Sequence, residues 1–119
     1  MEKINHQNVK RYCQTLDLKD NDQLIEEYKY WHKAENIWPE IPKGIREVGI
    51  LDMEIYILGN RLFMIIETYV DFNWDASFAE LAGKERQKEW ETFVSKFQIS
   101  AENASSSDKW QLMERIFKL

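Results

Sequence analysis

From Val9 to Lys19 the chain reads VKRYCQTLDLK, with polar and apolar residues alternating. A period of two predicts a strand with Tyr12, Gln14, Leu16 and Leu18 on one face and Arg11, Cys13, Thr15 and Asp17 on the other. Asp20-Asn21-Asp22 then offers side-chain oxygens that can cap a helix start, with Glu26 and Glu27 favourable near its positive end. From Gln23 the period lengthens to that of a helix. Leu24, Tyr28 and Trp31 form one stripe, with Ile25, Tyr28 and His32 beside it. Pro39 breaks this region and is well placed to open a second, short helix with Ile41, Ile45 and Val48 inward. Gly49 is its natural left-handed stop.

Residues 50–70, ILDMEIYILGNRLFMIIETYV, predict a hairpin around a two-residue Gly59-Asn60 turn. Pairing Leu58 with Arg61 sets Tyr56 opposite Phe63, Glu54 opposite Ile65 and Asp52 opposite Glu67 on one mixed face, suited to a site or an interface. The other face carries Leu51, Met53, Ile55, Ile57, Leu62, Met64 and Ile66 and is apolar throughout. A second helical region starts at Asn73, is interrupted near Gly83, and resumes with Trp90, Phe93, Val94 and Phe97 as an inward stripe. Residues Ser100 to Ser107 read as a polar loop, and Trp110 to Leu119 (WQLMERIFKL) as a closing strand.

The element order β-α-β-β-α-β is a ferredoxin-like α+β arrangement, a four-stranded antiparallel sheet with helices on one face. Residues 1–8 form a polar lead-in that includes His6, and residues 9–119 form a single domain. A sheet covered on one side only predicts a homodimer through the free sheet face, since an exposed apolar patch is otherwise a liability.

Composition narrows the function more than the fold. With 119 residues, 44% hydrophobic and 31% charged, the chain has the means for one core. Its net charge of −5, with cations scattered among acids, argues against nucleic acid. No apolar run approaches the roughly 20 residues of a membrane span. The polar start MEKINHQNVK lacks the apolar region of a signal peptide, so a cytoplasmic location is expected. Cys13 is the single cysteine, which excludes an internal disulfide and zinc fingers. Four glycines make no phosphate-cradling loop, so kinase and dinucleotide chemistry are excluded. The histidine and carboxylate positions have no metal-ligand spacing.

Five tryptophans in so short a chain suit a core, an interface or a carbohydrate pocket, where an indole face packs on the C–H face of a sugar. His32 is the candidate general acid or base, because its ordinary pKa lies nearest neutrality. Tyr28, four residues earlier, projects from the same helix face. On spacing alone the pair reads first as a half-buried histidine packed on a tyrosine ring. Cys13 reads as a small core residue. The strand carboxylates Asp17, Asp52, Glu54, Glu67 and Glu114 read as ion-pair partners of Arg11, Arg61 or Arg115, with one of them open to a second proton-transfer role.

The segments RYCQTLDLKD, EEYKYWH, NIWPEIPKGIREVGILDMEIYILGNRLFMIIET, QKEWE and KWQLMERIFKL together resemble the L-rhamnose mutarotase family over nearly the whole chain, from Lys10 to Leu119. The resemblance implies a ferredoxin-like fold, a dimeric α+β barrel, and exchange of the α and β anomers of a 6-deoxy sugar without metal or organic cofactor. It implies that His32 is the proton donor to the ring oxygen and Tyr28 a sugar contact one turn earlier. Of the family's adjacent tryptophan pair, Trp90 matches the second member and Glu89 stands at the first. Met53 stands where a second sugar-contacting tyrosine is expected, and the spacing from His32 to Trp38 is two residues longer than in the enterobacterial rhamnose enzymes. Trp31 and Trp38 join Trp90 as candidates to hold the sugar's apolar edge, and Tyr28 or Glu114 is the candidate base. Two rival functions share the scaffold: a small monooxygenase acting on an aromatic or haem, and a non-catalytic sugar-binding module.

Overall fold

A computed structural model describes residues 8–99 and 109–119. The elements run β1 (Val9–Asp17), α1 (Asp22–Trp31), α2 (Glu40–Glu47), β2 (Ile50–Leu58), β3 (Arg61–Tyr69), α3 (Trp74–Ala82), α4 (Gln87–Ser95) and β4 (Gln111–Leu112). The strands form one antiparallel sheet in the order β2-β3-β1-β4, so the ferredoxin-like α+β arrangement holds, with each helical region divided into two helices. Asn21 starts α1 by accepting the Leu24 N–H on its side-chain oxygen at 3.0 Å, and Asn73 does the same for Ala76 of α3 at 2.9 Å. His6 and the Ser100–Ser107 loop lie outside the described residues.

Turn chemistry sets the hairpin. Gly59 takes a φ of +62°, and Leu58 pairs with Arg61, Tyr56 with Phe63, Glu54 with Ile65 and Asp52 with Glu67, the register that alternation predicts. One correction falls at its start. A register shift between Ile50 and Asp52 buries Ile50 and leaves Leu51 43% exposed, so Leu51 is not part of the apolar face. An extra residue in one strand inverts the facing of everything before it, and period-two reading cannot see it.

The helices cover the face that carries Gln14, Leu16, Leu62, Met64 and Ile66, all buried. Ile25, Tyr28, Ile41, Leu81, Trp90, Val94 and Phe97 complete the core from the helical side. The opposite face is the mixed one. There Arg61 pairs with Asp17 at 2.8 Å, Arg11 with Glu67 at 2.9 Å, and the Tyr56 hydroxyl donates to Glu54 at 2.9 Å. Those arginine pairs are the ion pairs foreseen for the strand carboxylates. The Asp17 carboxyl is held below its ordinary pKa chiefly by its hydrogen bond from Arg61.

The closing strand is much shorter than expected. Only Gln111 and Leu112 pair with β1, opposite Thr15 and Gln14, and a last bond runs from Met113 N to Cys13 O at 2.8 Å. Beyond it Ile116, Phe117 and Leu119 are 89, 74 and 106% exposed. The alternation that predicted a strand is real, yet among the described residues nothing covers its apolar positions past Met113. No helix among the described residues is long and apolar enough to cross a membrane.

Gly49, which follows α2, has a φ of +100°, whereas Gly83 after α3 has −94°. A side chain is strained at the first position only. Gly49→Ala is expected to lower the urea-denaturation free energy by about 1–2 kcal/mol, and Gly83→Ala to leave it within ~0.5 kcal/mol. Equal effects of the two substitutions would contradict this backbone account.

Candidate active site

The last turn of α1 carries Tyr28 and His32, and His32 is also the residue on which the helix ends. Its imidazole turns back along the helix, and Nδ1 lies 2.7 Å from the Tyr28 carbonyl oxygen. A carbonyl can only accept, so Nδ1 carries the proton and donates it. In the neutral ring Nε2 is then an unprotonated, basic nitrogen. Burial pushes the His32 pKa below its ordinary 6.5, and the bond to Tyr28 opposes that effect without overcoming it. At neutral pH the side chain is therefore an uncharged base.

Tyr28 stacks on this ring at 4.1 Å between centroids and is only 4% exposed. Burial raises its phenol to about 12, against a hydrogen bond from Gln98 that acts to lower it. Tyr28 thus stays a phenol throughout the physiological range, and the candidate role as base does not suit it. The geometry is that of the histidine packed on a tyrosine ring, and it is at the same time the wall of a cavity.

Helix α4 supplies the facing wall. Trp90 meets His32 edge-on at 5.3 Å and Trp38 at 5.1 Å, and Trp38 stacks on Phe93 at 5.5 Å. Arg86 lies 4.0 Å over the outer ring of Trp38 and donates to Glu40 at 3.3 Å. Arg86 is the non-glycine residue with positive φ among those described, at +62°, and it opens α4 directly before Gln87. Strain at this junction aims the helix start, and the cation holds the tryptophan from behind.

Between these walls and the apolar sheet face lies a cavity of about 390 Å³, within the size range of small-ligand sites. Tyr28, His32, Met53 and Trp90 line it, together with Gln14, Gln87, Gln98, Lys109 and Trp110. The site is thus on the helix-covered side of the sheet. Asp52 and the bulged Leu51, beside Met53 at the start of β2, also line the cavity.

Four of the residues singled out in the sequence come together here, and four do not. Trp38 and Trp31 pack against Phe93 behind the wall and do not line the cavity. Glu89 is turned to solvent with its carboxylate 3.7 Å from Arg86. Glu114 is exposed in the segment after β4, away from the cavity lining.

Sequence reading passed over Lys109 and the three glutamines. Lys109 is 6% exposed and donates to the Glu91 carbonyl at 2.8 Å and to Ser95 Oγ at 2.7 Å. Burial lowers its pKa, with Glu91 opposing the shift. A usable signal existed for two of the glutamines. Gln87, Trp90, Val94 and Gln98 recur at i, i+3, i+7 and i+11, so the stripe read as apolar has polar ends. Among the described residues no group of three or more His, Cys, Asp and Glu side chains could hold a metal ion.

Residues 11–119 match the family model described as L-rhamnose mutarotase. The chain belongs to the L-rhamnose mutarotase family. It is 34% identical over 111 residues to an L-fucose mutarotase of Xanthomonas campestris pv. campestris, covering 93% of this chain and 89% of that one. It is 35% identical over 116 residues to a UPF0734 protein of Dictyostelium discoideum, covering 92 and 90% of the two chains. The crystal structure of an L-rhamnose mutarotase from Formosa agariphila superposes with a TM-score of 0.69 at 21% identity, covering 92% of this chain and 98% of the other, which supports the fold. Family membership leaves the small-monooxygenase alternative without support.

The lowered His32 pKa has a thermodynamic consequence. On acidification the unfolded chain takes up the histidine proton near pH 6.5, while the folded chain takes it up only at lower pH. Stability contributed by the neutral ring is therefore complete above about 6.5 and falls as pH drops towards the folded-state pKa. The melting temperature of the native protein is expected to fall more between pH 7.5 and 5 than that of His32→Asn. Parallel curves would contradict a neutral imidazole held in the folded protein.

Proposed function

We propose that the chain is a mutarotase, an isomerase that interconverts the α and β anomers of a 6-deoxyhexose, with L-fucose preferred to L-rhamnose. The observation that carries this reading is a half-buried neutral histidine whose Nε2 has no partner among the described residues, beside a tryptophan in a cavity of monosaccharide size. The preference for L-fucose rests on the relative of that name at 34% identity across most of both chains.

Ring opening moves one proton from O1 to O5 of the same hemiacetal carbon and breaks the C1–O5 bond. Neutral His32 takes the O1 proton on Nε2. The resulting imidazolium returns that proton to O5 as the bond breaks, leaving the open-chain aldehyde. Rotation about C1–C2 and the reverse sequence close the ring on the other carbonyl face. O1 and O5 share one carbon, so a single nitrogen can serve both, and His32 keeps its role as donor to the ring oxygen while also acting as the base. No electrons leave the sugar, so the reaction calls for no redox cofactor. Tyr28, fixed as a phenol, orients the sugar and the imidazole, and the indole of Trp90 packs against the C–H surface of the ring.

We further propose that the protein is a homodimer. The open sheet face, with Tyr56 53% exposed, and the apolar residues Ile116 and Phe117 beyond β4 support this reading, because both are costly to leave in water. In sedimentation analysis the protein is expected to run as a dimer and Ile116→Asp/Phe117→Asp as a monomer. A native protein that sediments as a monomer at tens of micromolar would remove this proposal.

Saturation-transfer NMR on L-fucose and L-rhamnose tests the activity. The protein is expected to accelerate exchange between the α and β anomeric protons, faster for L-fucose. His32→Asn should fold and lose ~10²–10⁴-fold of the catalysed rate. The rate should also decline on acidification below about pH 6.5 as His32 gains its proton. Exchange that is unchanged by the substitution, or that rises through that range, would exclude His32 as the base.

A further inference from the structure

Two glutamines in the cavity are unexplained by the packing. Gln87 and Gln98 are each 4% exposed, and the side-chain carbonyl oxygen of each is buried without a hydrogen-bond partner among the described residues. Buried acceptors in native proteins are paired almost without exception, so two in one cavity ask for a ligand that donates to them. Both are held firmly. Gln87 is the first residue of α4, and its N–H bonds to the Lys84 carbonyl at 3.1 Å. Gln98 pairs with Leu18 across to the end of β1, flanked by bonds from Lys19 N to Phe97 O and from Ile99 N to Asp17 O, both 2.9 Å.

Their placement brackets the reacting group. Gln87 precedes Trp90 by one turn, and Trp90 meets His32 at 5.3 Å. Gln98 lies on the other side, where its amide bonds the Tyr28 phenol. A ligand beside His32 thus meets Gln87 next to Trp90 and Gln98 next to Tyr28 in the lining of the same cavity.

We infer that Gln87 and Gln98 determine specificity for a neutral polyhydroxylated sugar, each accepting a hydrogen bond from one hydroxyl of the ligand on either side of the His32–Trp90 pair. This rests on the mutarotase reading for its substrate class and deepens it. A carboxylate or phosphate offers these oxygens no proton, whereas a sugar hydroxyl donates to the carbonyl and can also accept from the amide NH2 of the same side chain. A site built around a substrate hydroxyl rejects the analogue that lacks it, because the protein group is then left unpaired.

The test pairs Gln87→Met and Gln98→Met with monodeoxy analogues of L-fucose. Methionine keeps the length and much of the volume of glutamine but removes the carbonyl. Each substitution is expected to raise KM for anomer exchange about tenfold, more than it changes kcat. In the native protein, two of the monodeoxy sugars should bind about tenfold more weakly by titration calorimetry. One of these penalties should vanish in Gln87→Met and the other in Gln98→Met, a pattern that loss of packing alone does not produce.

Native exchange with unchanged KM and intact penalties in both variants would overturn the glutamine assignment and leave the mutarotase reading standing. Native protein that binds L-fucose with these penalties but does not accelerate exchange would do the reverse. If either variant fails to fold, the native protein still decides: no penalty for any monodeoxy sugar overturns the inference.

Discussion

The 2.7 Å hydrogen bond from His32 Nδ1 to the Tyr28 carbonyl is the constraint on which the site depends. It ties the imidazole to the last turn of α1 and decides which nitrogen is free. Burial then decides the charge, keeping the ring neutral and Nε2 basic. Without that bond the ring could present Nε2–H instead, and the same residue in the same cavity would be a donor at rest. At the end of α1 the His32 backbone N–H turns to the Lys29 carbonyl at 3.2 Å, which leaves the Tyr28 carbonyl to accept from the imidazole.

Helix α4 turns this local arrangement into a cavity. One face carries Gln87, Trp90 and Val94, and Gln98 follows just beyond the helix end, so the helix and the chain directly after it set the aromatic wall and both buried amides. Its start is strained at Arg86, and the chain just past its end is stitched to the residue after β1 by the Gln98–Leu18 bridge. The aromatic chain from Trp90 through Trp38 to Phe93 stiffens the wall, with Arg86 clamped on its outside. Lys109 adds a second brace, joining the segment before β4 to the last turn of α4. Activity and rigidity therefore draw on the same residues.

What could be read in advance was whatever local periodicity or turn chemistry determines. Both asparagine caps, the Gly59-Asn60 turn, the hairpin register and the Trp90–Phe97 stripe are of this kind. The bulge at Leu51 was invisible, because nothing in an alternating run marks an extra residue. The short β4 differs for another reason: alternation reports that a segment could lie on an apolar surface, and among the described residues nothing covers this one. At the site, His32 and Tyr28 were legible as neighbours on one helix face, and Met53 and Trp90 through resemblance to the family. Trp31, Trp38, Glu89 and Glu114 were placed by type or alignment, and tertiary packing takes them behind or away from the cavity. The glutamines and Lys109 escaped because a buried amide or amine is recognisable only once burial is known.

Nitrogen-15 NMR of the His32 imidazole, titrated from pH 8 to pH 5, tests the central claim most directly. The account predicts a protonated Nδ1 and a bare Nε2 at pH 7, with the second proton arriving below pH 6.5. A resting ring protonated on Nε2, or one already an imidazolium at pH 7, would contradict it.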